Sequence, residues 1–261
     1  MKTFIFRADD AGSSLSANKA IYKVIKNKIV KNVSLMACTP YIADFYNLTK
    51  GMDICFGLHV TINSEWDFVK WGPISKIDKS SNLVDDNNYF LSDFNNFTKK
   101  SDTIKIILNE IKMQHKKLID IGYKISYLDT HMLPEIYIEG LSEELDKYCL
   151  ENSLINHKYY YNLPSIKGSS DIFNDLGNLP DNQYFFVIHP SLNTKEMRLT
   201  GNTNVKGSVV AKNRARETKM FSSKLIKRIL FNNCQIKSIK YSEAIPFSYN
   251  TILKTIEEGK L

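Results

Sequence analysis

Short apolar runs alternate along the chain with segments of helical period. The run TFIF (3–6) has the length of a strand, and about 16–27 places Ile21, Val24 and Ile25 on one helical face, with Ser14 or Ser16 as cap. NVSLMA (32–37) predicts a second strand, Pro40 opens a helix over YIADFYNLTK, and DICFGL (53–58) predicts a third strand. From 63 to about 100 the rhythm breaks. That stretch is rich in Asn, Asp and Ser yet holds Trp66, Phe68, Trp71, Tyr89, Phe90, Phe94 and Phe97, which is too long for an ordinary connection and too aromatic for disorder. It is expected to be an insertion that covers something: a lid on the core, a dimer contact or a sugar-stacking wall. The alternation then resumes with an amphipathic helix over 103–122 ending at a glycine, a strand KISYL (124–128), and a helix over 141–152. A strand YFFVI (184–188), a helix over about 213–231 and a closing strand QIKSI (235–239) complete it.

Strand and helix in turn predict an α/β fold, a parallel sheet with helices outside it, most simply a barrel or distorted barrel with its active site at the C-terminal strand ends. At 261 residues and 43% hydrophobic content the chain is expected to form one domain, 1–261, without repeats or a low-complexity linker. No apolar run approaches the roughly 18 residues of a membrane span, and the N-terminus lacks a secretory pattern. A cytoplasmic protein with no membrane partner is the expectation. Cys38, Cys55, Cys149 and Cys234 lie far apart and read as buried or free thiols. The net charge of +7 comes mainly from scattered lysines, and the densest basic run, KNRARETK (212–219), contains a Glu where a helix begins. A solvated helix face accounts for it better than a nucleic-acid stripe, so no nucleic-acid partner is expected.

The chemistry-bearing residues fall at strand ends. Asp9-Asp10 follow the first strand, His59 the third, Asp129 and His131 the KISYL strand, and His189 the YFFVI strand, so that three of five histidines meet at one face of a parallel barrel. Each alone has an ordinary explanation as a cap or a hydrogen-bonded core residue. Together they point to a site. His115 and His157 are read as ordinary surface or structural histidines. One carboxylate with two imidazoles suits a catalytic divalent cation that keeps open positions, lowers the pKa of a bound water and polarises a carbonyl. Adjacent carboxylates repel, and a cation on one, with the other left as a base, would relieve the Asp pair.

The blocks RADDAGSS…NKAI, NVSLMACTPY, GLHVTIN, YLDTHM, FFVIHPS and RARET, in this order from about residue 3 to 245, resemble the YdjC-like carbohydrate deacetylase family of chitooligosaccharide deacetylase type. The resemblance implies a (β/α) barrel without full eightfold regularity, a divalent cation, often a homodimer, and hydrolysis of the acetyl group from N-acetylated sugars such as chitooligosaccharides or diacetylchitobiose. It assigns Asp9 as general base toward a metal-bound water, Asp10, His59 and His131 as metal ligands, and His189 as the group near the leaving amine, a candidate proton donor. Asp129 orients a ligand histidine or the base, and Arg214 and Glu217 support the site. Trp66 and Trp71 are candidate substrate-binding residues from the insertion. The cation is expected to be Mg or Zn, with Mn or Co as further candidates, and the partners an N-acetylated mono- or oligosaccharide and a second copy of the chain. The alternatives are a metal-dependent hydrolase of another amide or ester, or a non-catalytic sugar-binding protein. This chain departs from the family at Ala11, at MLPEIY after the DTH block and at HPS, none of which is a proposed ligand.

Overall fold

The computed structural model describes residues 1–94, 101–164 and 172–247. Seven strands, all pairing in parallel, form one sheet in the order β5-β4-β3-β2-β1-β6, with β7 also paired to β1. They are β1 (Lys2–Ala11), β2 (Asn32–Leu35), β3 (Cys55–Val60), β4 (Ile125–Thr130), β5 (Ile155–Asn156), β6 (Gln183–Ile188) and β7 (Ile236–Ser238). The helices are α1 (Leu15–Lys26), α2 (Ile42–Thr49), α3 (Ser101–Ile121), α4 (Pro134–Tyr137), α5 (Leu141–Glu151), α6 (Ile172–Gly177), α7 (Gly207–Phe221) and α8 (Lys224–Arg228). The sheet curls into a half-barrel surrounded by helices, which is the distorted (β/α) barrel expected. Its two edges are joined beyond β5, where the Phe185 amide of β6 donates to the Asn162 carbonyl at 2.7 Å and the Asn162 side chain donates to the Gln183 carbonyl at 2.7 Å.

Alternation along β1 separates two cores. Phe4, Phe6 and Ala8 face outward and pack with Ala17, Ile21, Val24 and Ile25 of α1, the face the helical period marked. Ile5 faces inward with Cys55, Tyr127, Phe185 and Tyr241. The same period carries Arg7 and Asp9 into the interior beyond Ile5, and both are buried. On the adjacent strands β3 and β4, Gly57 leaves room for its register partner Tyr127: a Cβ there would lie 2.1 Å from the Tyr127 ring. Tyr127 is fully buried, hydrogen-bonded to Ser34 at 3.0 Å and packed on Tyr241.

Ser14 caps α1 by accepting the Ala17 amide, and Glu196 accepts the next free amides, Leu15 and Ser16. α3 ends at Gly122, whose φ of +113 suits glycine. Its buried Glu110 accepts the amides of Ile74 and Ser75, and its Gln114 brackets both backbone groups of Thr61. α3 therefore holds the insertion and the chain just past His59.

Within the insertion, Trp71, Phe90 and Phe94 are buried in the main core, so its described part is chiefly a lid on that core. Phe97 lies outside the described residues. The expected helix over 213–231 is corrected: α7 starts at Gly207 and stops at Phe221, and Ser223 caps a new helix, α8, by accepting the Ile226 amide. KNRARETK thus lies within a helix rather than at its start. The four cysteines form no disulfide with one another; Cys55, Cys149 and Cys234 are buried and Cys38 is partly so. Among the described residues no helix is long and apolar enough to cross a membrane.

Candidate active site

A cavity of about 440 Å³ opens at the C-terminal strand ends, with Asp9, Asp10, His59, Glu65, Trp66, His131, His189 and Arg214 among its lining residues. A second cavity of about 460 Å³ lies at the start of β3 and β4, between Lys50, Lys124 and Lys240, and no histidine or carboxylate of the described residues lines it. The chemistry-bearing groups are gathered at the first.

The backbone explains how two consecutive aspartates reach one place. Successive strand residues ordinarily point to opposite faces. Here the register runs from Ala8 opposite Val33 to Ala11 opposite Leu35, three steps on β1 against two on β2. This bulge accompanies a left-handed Asp10, φ +64, a conformation aspartate tolerates better than most residues. Both carboxylates line the cavity.

Asp10 Oδ1 lies 3.6 Å from His59 Nε2 and 3.6 Å from His131 Nδ1, and the two nitrogens are 3.3 Å apart. Bonds of about 2.0–2.1 Å in a tetrahedral arrangement separate ligand atoms by about 3.3 Å. Asp10 Oδ1 is also buried with no hydrogen-bond partner. The three residues thus fit a divalent cation on spacing and on donor chemistry. Asp9, His59 and Asp129 also approach closely, but there Arg7 already supplies the positive charge.

Each imidazole is held from behind by a carboxylate. His59 Nδ1 meets Asp129 Oδ2 at 2.6 Å, and His131 Nε2 meets Glu65 Oε2 at 3.0 Å. Such contacts fix ring orientation and raise basicity. Burial alone would disfavour a charged His59, but Asp129 and Asp10 push its pKa up to about 10. The proton is favoured by the same negative field that would favour a metal ion.

The Asp pair is neutralised by the chain itself. Arg7 donates Nε to Asp9 Oδ1 at 2.6 Å and Nη2 to Asp9 Oδ2 at 2.7 Å, while Arg214 Nη1 lies 2.8 Å from Asp10 Oδ2. Burial opposes both charges, yet Arg7 holds Asp9 below the usual carboxylate range and Arg214 holds Asp10 well below it. Arg7 also reaches Asp129 Oδ2 at 3.0 Å and Tyr241 Oη at 3.2 Å.

His189 lines the cavity, its backbone amide donates to Glu217 Oε2 at 2.7 Å, and its ring makes no hydrogen bond among the described residues. Arg214 and Glu217, three residues apart on α7, serve Asp10 and His189 in turn. Trp66 lines the cavity. Trp71 is buried beside it, its ring 6.0 Å from that of His131 and its indole N–H donated to the Asn63 carbonyl, so the structure does not put it on the cavity wall.

Sequence reasoning missed Arg7, Glu65 and His157. Arg7 had a signal, a charged residue two positions before Asp9 on an apolar strand. Glu65 had none, since it follows the periodic part of β3. His157 is buried and lines the same cavity, so it is not a surface histidine, whereas His115 is a buried structural one, hydrogen-bonded to Tyr148.

A carbohydrate deacetylase of Thermoanaerobacter pseudethanolicus is 29% identical over 165 residues, 63% of this chain and 59% of that protein. The match thus spans less than two thirds of the relative. A crystal structure from Enterococcus faecalis, named provisionally for cellobiose-phosphate cleavage, superposes with a TM-score of 0.71, covering 93% of this chain and 98% of that one. At 14% identity this likeness speaks to the fold alone. The profile of the YdjC-like protein family matches residues 3–151, more than half of the chain and the whole of the segment carrying Asp9, Asp10, His59 and His131, and the chain belongs to that family.

Proposed function

We propose that this protein is a metal-dependent hydrolase that removes the acetyl group from N-acetylated sugars, chitooligosaccharides or diacetylchitobiose being the first candidates. The observation that carries the reading is the convergence of Asp10, His59 and His131 beside an Asp9 that is ionised and aimed by Arg7. A divalent cation held by Asp10, His59 and His131 would polarise an acyl oxygen and acidify water. Mg and Zn are the leading candidates.

Asp9 takes the proton from the water that attacks the acyl carbon. Its two hydrogen bonds from Arg7 fix its direction and keep it charged. His189, with a free ring at the cavity wall, supplies a proton to the departing sugar amine. Trp66 and the exposed Met132 at the same cavity offer apolar surface to a sugar face. The relative's name supports sugar deacetylation, and the chain is taken to act as one catalytic domain.

Acetate release tests the reading against its rivals. With cation supplied, N,N′-diacetylchitobiose and a panel of N-acetylated sugars are expected to yield acetate and a free amine, while phosphate esters yield nothing. Turnover of simple esters or other amides, with none of the sugars cleaved, would overturn the substrate class.

A further inference from the structure

His157 sits in the short 3₁₀ turn after β5 and is 4% exposed. Its Nδ1 lies 2.6 Å from Tyr241 Oη, which also accepts from Arg7 Nη1. An arginine can only donate. The phenolic proton is therefore available to His157 Nδ1, and a neutral ring then carries its own proton on Nε2. The opposite tautomer would leave the Tyr241 proton without an acceptor among the described residues. Burial, reinforced by Arg7 and His59, keeps the imidazole neutral by holding its pKa well below the usual histidine range.

Nε2 is buried and has no hydrogen-bond partner. A buried donor left unpaired is costly, and such groups in folded proteins ordinarily have a partner. The ring lines the same cavity as the candidate ligand set, where it meets the rings of Tyr161 and Phe185, and Val187 lines that cavity too. An unpartnered donor beside the Tyr161 and Phe185 rings, with the Arg7 guanidinium over the Phe185 ring, suits a small group with one polar or anionic end and one methyl end. It suits a hydroxyl-rich sugar ring poorly. We propose that His157 donates its Nε2–H to an acyl or carboxylate oxygen of the bound ligand, with Phe185, Val187 and Tyr161 taking the acyl methyl group. This rests on the deacetylase reading, and makes the Arg7–Tyr241–His157 chain the link between the acyl site and the base Asp9.

Acetate, the proposed product, is the probe. In cation-loaded wild-type protein, nitrogen NMR of the His157 side chain is expected to show the proton on Nε2 and a shift of that resonance on adding acetate. Two variants separate the ligand role from a structural one. His157→Gln keeps a donor near the Nε2 position, whereas His157→Asn keeps only a partner for Tyr241. Inhibition by acetate is expected to weaken about ten- to a hundredfold in the Asn variant and only a few fold in the Gln variant. A purely structural histidine predicts the reverse order. A proton on Nδ1, or an Nε2 resonance that ignores acetate, overturns the proposal even if neither variant folds. Failure of the deacetylase reading is distinct: the wild type would then release no acetate from any sugar.

Discussion

At the scale of residues, the chain resolves the repulsion within Asp9-Asp10 by giving each carboxylate its own arginine and by turning the second through a bulge. Arg7 and Arg214 lower the cost of burying two negative charges, and Asp10 keeps one oxygen unpaired toward His59 and His131. That division of labour separates two variants. Asp9→Asn should lower kcat by about a thousandfold while cation still binds. His59→Ala should lose the cation, as measured by metal content after dialysis. Near-native turnover by Asp9→Asn with its cation in place would show that another group is the base. Asp9, Asp10, His59, Asp129, His131 and His189 were legible in the sequence because parallel α/β topology brings strand ends to one face. Glu65 and the tautomer of His157 were not, because both depend on contacts made across loops with no period of their own.

At the scale of elements, β1, β3 and the turn after β4 carry the candidate ligands, with Asp129 of β4 bracing His59 and a loop bracing His131. Glu65 belongs to the stretch that opens the insertion, and its carboxylate is the only brace on His131 Nε2 among the described residues. Glu65→Ala should weaken cation affinity about ten- to a hundredfold, and Glu65→Gln less, by competition with a chelator of known strength. Equal affinity in all three proteins would remove Glu65 from the site. The strands themselves depend on Gly57. In Gly57→Ala the new methyl meets a Tyr127 ring fixed by Ser34 and Tyr241, so stability should fall by about 3 kcal/mol in equilibrium denaturation. An unchanged midpoint would mean that the ring can move. Strands β1, β3, β4 and β6 were readable from apolar runs bounded by polar residues, whereas two-residue β5 is too short to carry a pattern. The boundary between α7 and α8 was missed because Ser222-Ser223 interrupts no apolar face, and only the Ser223 cap marks the break.

At the scale of the whole molecule, a parallel sheet curls until Asn162 bridges its edges, and its interior changes character along the strands. Ile5, Cys55, Tyr127, Phe185 and Tyr241 fill one level, and Arg7, Asp9, Asp129 and His59 occupy the next toward the cavity. The apolar level supports buried charges that the polar level satisfies with one another, and the outer helices bury the opposite faces of the same strands. Alternation of strands and helices predicted this architecture, but it could not show that the barrel interior is charged halfway along. That feature comes from inward positions of separate strands, and only folding makes them neighbours. Taken together, the cluster is expected to work with a cation on an acetylated sugar. The most direct measurement is acetate release from N,N′-diacetylchitobiose by protein stripped with chelator and then supplied with Mg, Mn, Co or Zn one at a time. The stripped protein is expected to release none, and activity to return with about one equivalent of an activating cation. Full release by protein shown to be free of metal would contradict this expectation.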